Sequence, residues 1–147
     1  VLKSVRHDGF ELISLDVYAS ILKRLRLPYQ SPNLSISETS IVANSKTLAH
    51  ILPDLIPPIE WQYTIRFSTQ EYRDFFLKNG KYKPVSLPND RNNQFALFRK
   101  LCYAMKALLD QCDLDMFELN EDTFSTSYPK IIDNLIVAYV KNVPRPS

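Results

Sequence analysis

Apolar and polar positions alternate most regularly over residues 59–67, where Ile59, Trp61, Tyr63, Ile65 and Phe67 are interleaved with Glu60, Gln62, Thr64 and Arg66. Period two puts the apolar side chains on one face, so the pattern predicts a one-sided strand of an antiparallel sheet, with Trp61 in the core. Elsewhere the spacing is helical. Ser14 is placed to cap a first helix, with Asp16 in its first turn and Leu15, Tyr18, Ile21, Leu22 and Leu25 as its buried stripe; Pro28 is expected to stop it. Ser45 is placed to cap a short helix carrying Leu48, Ile51 and Leu52. Ser68 and Glu71 form a capping box for a helix buried through Tyr72, Phe75 and Phe76, with Asn79 and Gly80 at its end.

The longest helix is predicted from Asn89 or Asp90 to about Cys112. Phe95, Phe98, Cys102, Met105, Leu109 and Cys112 recur in steps of three and four, and Leu97, Leu101 and Leu108 widen the stripe. A stripe this broad belongs to a central core helix. Ser127 caps the last helix, with Pro129 in its first turn and Ile131, Ile132, Leu135, Ile136, Tyr139 and Val140 on its apolar face. The Asp8-Gly9 pair suggests an N-terminal hairpin, residues 116–119 read as a short strand, residues 28–40 as a polar loop and 81–88 as extended chain. The expected fold class is α+β, with about five helices packed on a small, mostly antiparallel sheet of three or four strands.

Composition narrows the chemistry. The 147 residues suit a single domain spanning 1–147. The chain starts without Met and ends Val143, Pro144, Arg145, Pro146, Ser147, as expected of a domain excised from a longer protein with 143–147 opening a linker. Gly9 and Gly80 are the only glycines, too few and too far apart for a phosphate-cradling loop or a G-x-S-x-G elbow. Cys102 and Cys112 fall in one predicted helix, about 15 Å apart at 1.5 Å per residue, beyond disulfide reach. No run of apolar residues approaches a membrane span and no secretory leader pattern stands out, so an intracellular setting, nuclear or cytoplasmic, is expected.

Charge changes the picture. Residues 61–106 carry nine cations (Arg66, Arg73, Lys78, Lys81, Lys83, Arg91, Arg99, Lys100 and Lys106) against Glu71, Asp74 and Asp90, in a chain of net charge +2. Lys78, Lys81 and Lys83 surround Tyr82, and Arg99 and Lys106 are expected to bracket Tyr103 on the solvent side of the long helix. Cations flanking an accessible tyrosine suit an acidic protein surface, or phosphates with a stacked base. A second cluster, Lys23, Arg24 and Arg26, is accounted for by the first helix's dipole. The acidic stretch Asp110, Asp113, Asp115, Glu118, Glu121 and Asp122 does not match a calcium loop, and no H-E-x-x-H or C-x-x-C zinc spacing occurs. His7 lies far from His50, which is expected beside an apolar face. No catalytic group, metal or cofactor is expected. The residues therefore point to a non-enzymatic protein–protein interaction module that meets an acidic partner through Lys78, Lys81, Tyr82, Lys83, Arg99, Tyr103 and Lys106. Nucleic-acid binding by the same stretch is the alternative.

Overall fold

The computed structural model describes residues 10–30, 41–65, 67, 88–117, 119 and 126–142. The described residues form helices α1 (Leu15–Arg24), α2 (Arg26–Gln30), α3 (Ile41–Ile51), α4 (Arg91–Leu109) and α5 (Tyr128–Asn142), with a π-helical turn at Trp61–Ile65 and a 3-10 turn at Leu114–Met116. They contain no strand, so the α+β expectation is corrected to a helical fold among these residues.

The predicted strand at 59–67 is replaced by the π turn. The Glu60 carbonyl instead accepts from the Thr64 and Ile65 amides at 2.9 and 3.3 Å, and the Thr64 hydroxyl accepts from the Glu60 amide at 3.0 Å. The segment thus satisfies its backbone locally. Thr64, expected on the wet face, is buried. The predicted strand at 116–119 is likewise corrected: Met116 closes the 3-10 turn, begun where the Asp113 carboxylate accepts from the Asp115 amide. Of the proposed N-terminal hairpin, 1–9 lie outside the described residues, and 10–14 form a turn leading into α1.

Several helix limits also move. Pro28 lies inside α2, in its first turn, where no intrahelical N–H is needed. α3 begins four residues before Ser45, which is buried and donates to the Val42 carbonyl at 3.0 Å instead of capping. α4 ends at Leu109, and Cys112 lies past it. The helix predicted at 68–79 and residues 31–40 and 81–87 lie outside the described residues. The caps of three helices stand as read: Ser14 accepts from the Val17 amide, Asp90 from the Asn92 and Asn93 amides, and Ser127 from the Lys130 amide.

α4 is the central element. It packs against α1, α2, α3 and α5. Phe95, Phe98, Leu101, Cys102 and Leu109 join Tyr18, Leu22, Leu25, Ile41, Leu48 and Ile56 in the main core, while Met105 meets Ile132, Ile136 and Val140 of α5 in a second cluster. Leu135 and Tyr139, expected on the buried face of α5, are exposed. Long-range polar contacts tie the segment after α3 to the helices. The Tyr18 hydroxyl donates to the Leu55 carbonyl at 3.0 Å, and the Ser127 hydroxyl to the Pro53 carbonyl at 2.9 Å.

α1 and α4 run antiparallel. Arg26, just past the end of α1, donates to the Asn92 side chain at the start of α4, at 2.7 Å. Further along, Tyr18 meets Cys102, and the Phe10 ring lies 5.6 Å from the Lys106 ammonium. This register decides which charges share an end of the molecule.

Candidate functional site

The accessible face of α4 is the surface that the charge pattern singled out. Asn92, Ala96, Lys100, Tyr103 and Ala104 are exposed along it, and Arg99 and Ala107 are half-buried. They turn outward because the opposite face is taken up by Phe95, Phe98, Leu101, Cys102 and Met105. Tyr103 is 41% exposed, a large ring held on a rigid core helix with alanines beside it. The Arg99 guanidinium lies 5.8 Å over the Phe95 ring, which steadies a long side chain at the rim of the core.

Lys106 does not belong to this face. It is 1% exposed, forms an ion pair with Asp110 one turn on, and lies over the Phe10 ring. The expectation that it brackets Tyr103 in solvent is therefore corrected. Its spacing carried the signal: Lys106 is four residues after Cys102 and eight after Phe98, in line with the core stripe. Of the other sequence-predicted contacts, Arg99 and Tyr103 lie together on α4, while Lys78, Lys81, Tyr82 and Lys83 lie outside the described residues.

The first basic cluster, for which the dipole of α1 accounts, also lies beside the start of α4. Lys23 and Arg24 occupy the last turn of α1, where they complement its dipole, and both are exposed. The antiparallel register brings this end of α1 to the beginning of α4, with Arg26 bonded to Asn92. Among the described residues, Lys23, Arg24, Arg26 and Arg91 therefore share one end of the helix pair, together with the Asp90 carboxylate that caps α4, while Arg99 and Lys100 stand farther along, at the middle of α4. Among the described residues of the pair and its flanking turns, the other end carries Glu11, Asp16, Asp110, Asp113 and Asp115, and Lys106 there is buried in an ion pair. Among the described residues, the helix pair is thus basic toward the start of α4 and acidic past its end.

A second group of charges lies between α3, the π turn and α5. Lys46 pairs with Glu60, and Lys130 donates to the Asp133 carboxylate at 2.6 Å. Asp133 is 2% exposed, and its second carboxylate oxygen has no hydrogen-bond partner. Burial raises its affinity for a proton above that of an ordinary carboxyl, the Lys130 hydrogen bond and charge oppose this, and Glu60 adds to it. The Lys46–Glu60 pair ties α3 to the segment before the π turn, whereas Lys130 and Asp133 pair within α5.

The remaining reactive side chains are embedded or scattered. Burial pushes the Cys102 thiol and the Tyr18 hydroxyl well above their ordinary ranges. His50, expected beside an apolar face, is exposed, and His7 lies outside the described residues. Among the described residues, no group of three or more His, Cys, Asp or Glu side chains is arranged to hold a metal ion, and no helix is long and apolar enough to cross a membrane.

Compared with family models, curated proteins and solved structures, the chain has no significant match.

Proposed function

We propose that this chain is a non-enzymatic interaction module that binds an acidic surface of a partner protein through the basic and aromatic face of α4. One observation carries the reading: Tyr103 is an exposed ring on a core helix, flanked by Arg99 and Lys100. A tyrosine offers broad contact area at little cost in conformational entropy, and neighbouring arginine and lysine steer an acidic partner into register. The dipole of α4 gives no reason for the cation at its start, Arg91. The start of α4 is the positive pole of its dipole, where a cation is unfavourable by roughly 0.3–1 kcal/mol.

Nucleic acid is the second ligand class that cations and tyrosine suit. Among the described residues the basic face of α4 is short, which favours protein. Arg91 to Lys100 covers about 13.5 Å of helix, matching only ~4 phosphates at 3.4 Å per strand.

The test is quantitative co-precipitation with the full chain, comparing wild type with Arg99→Glu combined with Tyr103→Ala. Both side chains are outside the core, so circular dichroism should be unchanged. Loss of bound partner is expected; full retention would overturn the placement of the site.

A further inference from the structure

We infer that the ligand of this surface is a short peptide segment rich in glutamate and aspartate, gripped where the C-terminal end of α1 meets the N-terminal half of α4 by Lys23, Arg24, Arg26, Arg99 and Lys100. The inference rests on the functional reading above and extends it to a second helix and to one kind of ligand.

The join between the two helices is its foundation. Arg26 reaches Asn92 at 2.7 Å across 66 positions of sequence, which fixes the end of α1 beside the first turn of α4. Lys23 and Arg24, one turn back, are exposed. A ligand touching Tyr103 and running toward the start of α4 therefore stays among cations as it crosses to α1. From Arg91 to Tyr103 the path is about 18 Å, which ~12 residues of a helical peptide would cover. The exposed Ala96 and Ala104 leave room for such a peptide to lie close to α4, with Tyr103 as its apolar anchor.

The opposite end limits the ligand's length. A polyanion continuing along the helix pair would meet Asp16, Asp110, Asp113 and Asp115. Like charges at that distance repel within a Debye length of ~8 Å at physiological salt. The polarity thus admits a short acidic segment and disfavours an extended phosphate backbone. It also sets direction: the acidic side chains lie over Lys23, Arg24 and Arg26, and an apolar side chain lies at Tyr103.

Fluorescence anisotropy of the full chain tests this with two labelled probes, a glutamate-rich peptide about 12 residues long and a single-stranded oligonucleotide of equal charge. The peptide should bind wild type more tightly than the oligonucleotide, and should weaken as salt rises. Lys23→Glu with Arg24→Glu, remote from Tyr103, should weaken the peptide at least about tenfold, as should Arg99→Glu. Circular dichroism of each variant checks the fold. If the α1 variant binds like wild type while Arg99→Glu does not, the two-helix grip is overturned and the α4 reading survives. If the oligonucleotide binds more tightly, the peptide assignment is overturned. If wild type binds neither probe, both the inference and the reading beneath it are overturned.

Discussion

Buried charge gives the sharpest lessons at the scale of single residues. Lys106 and Asp133 both lie on faces that the sequence reserves for apolar side chains. In each case spacing was the better guide than charge: Lys106 follows the Phe98–Cys102 row, and Asp133 falls between Ile132 and Ile136 on α5. A residue-by-residue reading of polarity misplaces such side chains because the compensating partner, Asp110 or Lys130, lies a turn away and becomes visible only once the helix is built. Asp133 also yields a pH prediction. Its proton affinity is raised by folding, so the folded chain takes up a proton at higher pH than the unfolded chain. The resulting stabilisation is complete below the unfolded carboxyl range and is lost as pH rises through the folded one. Urea unfolding of wild type and Asp133→Asn should therefore show wild type gaining on the variant as pH falls from neutrality into the carboxylate range. A wild type that instead loses ground to the variant on acidification would contradict the assignment.

Among the elements, those with a cap and a long helical stripe were legible. Ser14, Asp90 and Ser127 announced α1, α4 and α5, because an N-cap is a local hydrogen bond and its residue type is written at the position where it acts. The π turn was not legible. Ile59, Tyr63 and Phe67 stand four apart as well as two apart, so the same residues satisfy a strand and a helical turn. The capture of the Thr64 and Ile65 amides by the Glu60 carbonyl decides between them. α3 was placed too late for a related reason: Ser45 has the chemistry of a cap but spends its hydroxyl on Val42 within the helix. The caps carry their own prediction. Asp90→Ala removes the acceptor for two amides at the start of the central helix and should cost about 1 kcal/mol, within a range of roughly 0.5–2. Chemical denaturation measures it, and an unchanged midpoint would show that the cap contributes nothing to α4.

For the whole molecule, what matters is how the antiparallel pairing of α1 and α4 sorts charge. Neither the first basic cluster nor the long-helix cations suggested a shared surface in sequence, since more than sixty positions separate them and the packing of the helices, with the Arg26–Asn92 contact, brings their ends together. The half of the candidate site on α4, Arg99 and Tyr103, was legible from spacing; the α1 half required the fold. Binding through this end is the central claim, and amide chemical shifts of the isotopically labelled full chain test it most directly. Titration with the glutamate-rich peptide at low salt should move the amides of residues 23–26 and 91–103, leave those of 110–116 in place, and give smaller shifts as salt rises. Shifts confined to 110–116, or shifts indifferent to salt, would contradict it.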